Sequence, residues 1–576
     1  MKKRVARTFN LSILTVGALL LGSLPLIAQD SQKSIVNHVA YFGVSAPVRQ
    51  LAMLPVHHGL SGDYPLLQGP RRAAGSGVDT VEQSKADPAS NFTIDVTARA
   101  IGWGFPNFNA AAAKRSFPDT NIAVGDTQIV QVADDSGAVF DKSTGVALTP
   151  AMPIRTLFKS IGGPCSKSSS FMGNAIVQWD KAADRWLIAI NVLDNYSGPY
   201  SACIAISTSG DALGTYYLYQ FPLSNRYPGD NGGYPDQMRL GVWTPGGSAD
   251  SYFQTQNNYG PHGLGSTYVG AEPCAYDRDK MLVGDHTAKQ VCFQLSSNDF
   301  ALLPSDVDSN TPPPANQDEL LFSLWSNYQL ALYSFHIDWS NPSGASITGT
   351  GGSQLISIPY FNLTDCTTPQ DKTGFFCVPQ GNSRIKLEVL GDRLLYRLVY
   401  YNDDPSSPSP SQHWLVLHDV QTDAAQGSPR QAERWYEFTA PQMAVDYTGL
   451  SLYQSGTYAP DSNSRWMGSI ARDSSGNIMM GYSESSSNLI PSVAITGRLV
   501  SDLPLGTMEA EQFVFYGAAP QKALPGRWGE YTSMRLDPDG CTLWYTAGYF
   551  LIPVGLDWDT GISSATFAPA NCTPAP

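Results

Sequence analysis

The sequence predicts an all-β chain, on three observations. Tyr (28), Phe (23), Trp (12), Gly (52) and Pro (41) are plentiful and only 15% of residues are charged, which is a composition of strands and turns. A strand-turn-strand phrase occurs twice, opening at Arg465-Trp466 and again 62 residues later at Arg527-Trp528. In each copy a short strand follows, then an Asp/Gly turn (Asp473 to Gly476, Asp537 to Gly540), then an apolar-aromatic return strand (Ile478 to Tyr482, Leu543 to Tyr545). Finally, about 548 residues remain after an N-terminal export segment, well beyond the ~250–300 at which a single core stops growing. Such a chain must split into domains or repeat a small core. A β-propeller takes the second route, because each hairpin-built blade buries its faces against two neighbours.

Residues 1–28 read as a signal peptide. Lys2, Lys3, Arg4 and Arg7 form a basic start, Leu11 to Leu26 is apolar and uncharged, and Ala28 suits the last position before cleavage, although Leu26 is larger than such sites prefer. The apolar run is short for a membrane anchor of ~20 residues, and no other stretch approaches ~18 apolar residues in succession. The expectation is therefore an exported chain with no membrane span after signal removal, located in the periplasm, at the cell surface or outside the cell. Removing the four positive charges takes the formal charge from −14 to −18, which disfavours nucleic acid as a partner. The eight cysteines fall as close neighbours: Cys165 and Cys203, Cys274 and Cys292, Cys366 and Cys377, Cys541 and Cys572. Eight cysteines permit 105 pairings, and sequential disulfides are favoured because each would staple one blade of an exported protein. No Cys-x-x-Cys spacing points to zinc.

Residues 29–115 carry weak periodicity and frequent Gly-Ser-Pro punctuation, and are expected to form an extended N-terminal arm packed along the propeller. His57 and His58, adjacent in this arm, read as surface polar residues and not as a ligand set. The propeller is assigned to 116–576 as a single domain. Blade starts are placed at Pro118 to Gly125, Gly173 to Asp180, Tyr234 to Asp236, Leu320 to Trp325, Ile385 to Leu387, Arg465 and Arg527. Seven blades follow; six or eight fit the irregular spacing too. The excess length is assigned to loops at Pro304 to Gln317 and Asn402 to Gln412.

Several phrases resemble those of a family of large, secreted, functionally uncharacterised bacterial proteins with a propeller fold. They include Asp119-Thr-Asn-Ile-Ala-Val-Gly125, Gln178-Trp-Asp-Lys-Ala-Ala-Asp-Arg-Trp186, Gly391-Asp-Arg-Leu-Leu-Tyr-Arg397 and Asp537-Pro-Asp-Gly-Cys-Thr-Leu-Trp-Tyr545. The resemblance spans about residues 100–550. It departs at Glu530, where the family shows Asp after Trp-Gly, and at Tyr234-Pro235-Asp236, where it shows Asp-Tyr-Pro. It implies architecture and export and no activity. A looser resemblance is to sialidase-type propellers, through the Asp/Gly turns at Asp473 and Asp537.

The beginnings of inner strands converge in a propeller, so residues at blade starts meet although distant in sequence. Asp119, Asp236, Arg384, Arg465, Arg527, Glu530 and Tyr531 all lie there. Arg384, Arg465 and Arg527 are candidate ligands for a substrate carboxylate, and Glu530, Tyr531, Asp119 and Asp236 are candidate nucleophile and acid groups for glycoside cleavage. The competing and favoured reading ties blades together through these same ion pairs. Trp466 and Trp528 are candidate sugar-stacking rings, with inter-blade core as the favoured alternative. Asp306, Asp308 and Asn310 resemble the start of a calcium loop, but Thr311 and Gln317 stand where Gly and Glu are needed, so a solvated turn is favoured and no cofactor is expected. Gly-x-Ser-x-Gly, His-Glu-x-x-His and glycine-rich phosphate loops are missing. The expectation is a secreted module that binds an extracellular glycan, polymer or protein at its channel face; the alternative is a sialidase-like glycoside hydrolase.

Overall fold

The computed structural model describes residues 33–572 apart from 55–68, 71–74, 88, 109–117, 168–171, 193–199, 224–233, 261–266, 365, 367–373, 423–428 and 553–557. The signal-peptide assignment and the His57-His58 pair lie outside the described residues. Among the described residues no helix is long and apolar enough to cross a membrane.

The fold is an all-β propeller. Among the described residues its strands group into seven mainly antiparallel units, two of them joined in one sheet by the parallel pairing of Leu303–Val307 with Leu398–Asn402, beside a separate two-stranded sheet. Their first strands are Thr120–Val124, Met172–Asp180, Tyr234–Trp243, Leu303–Val307, Leu398–Asn402, Ser464–Arg472 and Ser533–Leu536. Each first strand contacts the next in this order, and Ser533–Leu536 returns to Thr120–Val124, so the ring closes. These strands are buried on both faces almost throughout. That is why their sequences, such as Thr-Asn-Ile-Ala-Val and Ser-Met-Arg-Leu, do not alternate cleanly between apolar and polar residues.

Neighbouring units are held by apolar and aromatic side chains. Phe221 meets Tyr276 between the second and third units with ring centroids 5.2 Å apart. Phe253 meets Phe335 at 5.1 Å between the third and fourth, and Phe322 meets Phe438 at 5.3 Å between the fourth and fifth. Edge-to-face contacts of this kind contribute about 0.5–1.5 kcal/mol each beyond the area they bury.

Three expectations are corrected. The segment Ile35–His38 pairs with Lys289–Cys292, Tyr41–Val44 with Tyr216–Pro222, Glu82–Gln83 with Ser451–Tyr458, and Phe92–Arg99 with Asp559–Phe567. The N-terminal region is therefore woven into four units, and Phe92–Arg99 is the outer strand of the last one. The start placed at Leu320 is the second strand of its unit, Glu319–Ser326; the first is Leu303–Val307, all but its first residue inside the stretch read as a loop. Pro304 and Asp306 hide it, because strands seldom carry either. Likewise, among the described residues Leu387–Glu388 pairs with Phe376–Val378 alone, and the fifth unit begins at Leu398.

The twin hairpins occupy equivalent places, as first and second strands of adjacent units, but the Arg-Trp steps are not in register. Trp466 lies within its strand, whereas Trp528 precedes Ser533–Leu536. The turn residues Asp473 and Asp537 are 64 positions apart, two more than the tryptophans. Four disulfides join Cys165 to Cys203, Cys274 to Cys292, Cys366 to Cys377 and Cys541 to Cys572. The second of these clamps directly opposed residues of neighbouring strands.

Candidate axial site

The blade starts of the first, third and seventh units meet at one end of the ring. Glu530 is central there. Its backbone amide donates to Asp119 Oδ1 at 2.7 Å, and its carboxylate accepts from Gln237 Nε2 at 2.8 Å and from Arg527. Arg527 Nε lies 2.8 Å from Glu388 Oε2, which also accepts from the Trp528 amide at 3.0 Å. Gly529 is required by the approach of the chains, since a Cβ there would fall 2.0 Å from the Pro118 carbonyl oxygen.

A bulge delivers the third unit's contribution. Pairing of Tyr234–Trp243 with Ser251–Gly260 slips between Asp236 and Arg239, and Gln237 adopts φ 52°. A left-handed non-glycine residue costs on the order of 1 kcal/mol, and bulges re-aim side chains. Here Gln237 is turned to Glu530, while Arg239 Nη1 donates to Tyr531 Oη at 2.5 Å and the guanidinium lies 4.6 Å from that ring's centroid. Tyr531 Oη donates in turn to the Met238 carbonyl at 3.0 Å. Arg393, held by Asp392 at 2.6 and 2.9 Å, completes the group.

Almost every member is buried; Asp236 and Asp392 keep part of their surface open. Burial, reinforced by the Glu530 charge, pushes the Asp236 carboxyl up to about 7 against the opposing pull of Arg393, Arg527 and Arg239. Burial likewise pushes Glu388 up to about 7, with Arg527 opposing. Among the described residues, Arg239 Nε and Nη2, Arg393 Nη1, the Tyr259 hydroxyl and Glu388 Oε1 have no hydrogen-bond partner. Unsatisfied guanidinium donors beside a proton-holding carboxyl form a surface suited to hydroxyl and carboxylate oxygens.

A second ion network joins several units. Asp306 Oδ2 accepts from Arg397 Nε at 2.7 Å, Arg535 Nη1 at 2.6 Å and Gln178 Nε2 at 3.0 Å. Asp308 accepts from Arg397 Nη1 at 2.8 Å. These bonds link the second, fourth, fifth and seventh units.

The candidates sort as follows. Asp119, Asp236, Arg527, Glu530 and Tyr531 come together. Arg384 is exposed, and Arg465 turns to Asp461, Glu484 and Glu511, so the three arginines do not share one anion. Trp466 and Trp528 pack on each other at 5.6 Å and are buried, so neither ring offers an open face. Asp306 and Asp308 pair with guanidinium groups, and Asn310 is exposed. Glu388, Arg239, Arg393 and Gln237 were missed. A signal existed: Arg239 interrupts an apolar run, and a charge on a strand buried on both faces must meet a partner.

No protein-family model matches this chain, and no curated protein does. Among solved structures it is similar to the WD40 domain of SCAP from fission yeast, with 9% identity and a TM-score of 0.30, over 84% of this chain and 98% of that one. It is also similar to a Dyadobacter fermentans protein of unknown function (8% identity, TM-score 0.24, 69% of this chain and 95% of that one). A third is an exo-beta-1,3-galactanase from Phanerochaete chrysosporium (9% identity, TM-score 0.24, 83% and 98%). Likeness at this level assigns neither ligand nor activity.

Proposed function

We propose that this protein is an exported, seven-bladed propeller of the secreted bacterial family its phrases resemble, and that it binds an extracellular glycan, polymer or protein at the axial face. One observation carries the reading. Among the described residues, buried Arg239 and Arg393 keep N–H groups without a hydrogen-bond partner, and their charges act on Asp236, the partly open carboxyl of the cluster. Leaving such donors unsatisfied costs about 1–3 kcal/mol each, and a ligand rich in hydroxyl or carboxylate oxygens recovers it.

A second reading, glycoside cleavage, rests on the pairing of Asp236 with Glu530. The Asp236 proton would pass to the departing glycosidic oxygen, while the Glu530 carboxylate, fixed by Arg527 and Gln237, would form the bond to the sugar's anomeric carbon. Water would then release the sugar.

The experiment is a glycan array run beside a panel of chromogenic glycosides, using the full chain and its Arg239→Gln, Asp236→Asn and Glu530→Gln variants. Binding without turnover, weakened about tenfold or more by Arg239→Gln, supports the module. Turnover abolished by Glu530→Gln or Asp236→Asn supports the hydrolase. Retention of every ligand by all three variants removes the axial site from consideration.

A further inference from the structure

The axial cluster gathers the beginnings of the first strands, and the ends of the same strands meet at the other mouth of the ring. There a cavity of about 370 Å³ is bounded by Asp180 and Lys181 of the second unit, Val242 and Thr244 of the third, and Val307 and Asn310 of the fourth. A smaller void of about 20 Å³, lined in part by Asp308, Arg535 and Pro538, shares Lys181 and Val307 with it. Cavities of roughly 300–1,000 Å³ are of a size to hold a small molecule.

Lys181 opens the turn after Met172–Asp180 and is half-buried. Its amine donates to the Asp308 carbonyl at 3.4 Å, a long bond, and among the described residues no carboxylate lies at ion-pair distance from it. The neighbouring carboxylates are engaged elsewhere. Asp180 accepts from Arg278 Nε at 2.7 Å and from the Tyr252 hydroxyl at 2.8 Å. Asp308 holds Arg397, and Asp537 holds Lys142 at 2.9 Å.

Burial lowers the hold of the Lys181 amine on its proton, against the opposing charges of Asp308, Asp537, Asp539 and Asp126. A primary amine that sheds its proton more readily than an exposed lysine is a nucleophile toward carbonyl carbon. The same four aspartates make the surroundings negative, which repels an anionic ligand and leaves an uncharged one unaffected.

We propose that this mouth is a ligand site separate from the axial cluster, at which Lys181 captures a short, uncharged aldehyde or ketone as an imine. The nitrogen lone pair adds to the carbonyl carbon while one N–H proton passes to the oxygen. The carbinolamine then loses its hydroxyl with the second N–H proton as water, and a C=N bond replaces the C=O bond. No oxidant or reductant is consumed, and water reverses the capture.

The test is site mapping on the full chain. It is incubated near neutral pH with glyceraldehyde and, separately, with butanal, each with sodium cyanoborohydride, which reduces the C=N bond to a stable secondary amine. Peptide mass spectrometry then follows each lysine. Lys181 should be alkylated about tenfold faster than exposed Lys85 and Lys522, at a rate that saturates with aldehyde while theirs stays linear. Faster reaction with glyceraldehyde would identify an open-chain sugar as the source, and with butanal an alkyl aldehyde; either supports the site. Glyoxylate, an anionic aldehyde, should react more slowly than both. Asn310→Trp, at an exposed position of the cavity wall, should slow Lys181 severalfold and leave Lys85 and Lys522 unchanged, with a melting curve to establish folding. Should that variant not fold, saturation in the parent decides. Labelling of Lys181 no faster than of the exposed lysines, a rate linear in aldehyde, a preference for glyoxylate, or an unchanged rate in folded Asn310→Trp would overturn the proposal.

Discussion

Arg397 offers the sharpest test of how the ring is held. It is fully buried and reaches Asp306 Oδ2 at 2.7 Å, Asp308 Oδ2 at 2.8 Å and the Met534 carbonyl at 3.2 Å, joining three units through one side chain. Arg397→Met fills most of the same space but leaves the Asp308 carboxylate without its guanidinium partner and with only the charge of nearby Lys181 to balance it among the described residues, while Asp306 keeps Arg535. Breaking one partner of a buried pair costs about 3–5 kcal/mol. At about 2.1 cal/mol/K of unfolding entropy per residue, a cooperative unit of roughly 550 residues loses about 1 °C per kcal/mol, so the expected fall in Tm is about 3–5 °C. Replacing Asp308 as well removes the stranded charge, so Arg397→Met with Asp308→Leu should recover more than half of the loss. Differential scanning calorimetry of parent, both single variants and the double gives the coupling directly. A Tm within 1 °C of the parent for Arg397→Met, or losses that simply add in the double, would refute the view that this network is a charge-balanced tie between units.

Stability should also depend on pH in an unusual sense. Burial raises Asp236, Glu388 and Asp419 to about 7, against about 4 for ordinary carboxyls, so each binds a proton more tightly in the fold than in the open chain. Their contribution is complete below about pH 4 and is lost as pH rises to about 7. Asp403 and Glu437 act oppositely: burial raises them, but the hydrogen bonds from His413 and the Arg472 charge outweigh it and lower both, so their contribution fades below about pH 4. Tm should therefore be higher near pH 5 than at pH 8, with a smaller difference in Glu388→Gln; a Tm that rises from 5 to 8 contradicts the assignment. A chain beginning at Ala100 lacks Phe92–Arg99 and the three shorter N-terminal strands, exposing the edges of four units. It should aggregate or show non-cooperative unfolding by circular dichroism, and cooperative melting near the parent's Tm would show that these strands are dispensable.

Composition and the twin hairpins were enough to reveal strands, turns and repetition, because aromatic and β-branched runs between Gly, Pro and Asp turns are local signals. Pairing of cysteines by proximity was legible for the same reason: Cys274 and Cys292 flank one strand pair. Asp119, Asp236, Arg527, Glu530 and Tyr531 could be nominated together because a ring brings strand beginnings to one place. Leu303–Val307 was illegible, since Pro304 and Asp306 mark a turn unless Arg397 and Arg535 arrive from two other units to absorb the charge. The fate of each arginine was likewise settled only by tertiary structure. Arg527 sits at the axis, whereas Arg465, in a nearly identical phrase, faces Asp461, Glu484 and Glu511, because a two-residue offset between the hairpins sends the guanidinium elsewhere. The sequence alone determined which segments become strands and which side chains carry charge. Which charges meet, and which oxygens stay unpaired, depended on register and on closure of the ring, because those contacts join residues hundreds of positions apart and leave no local pattern.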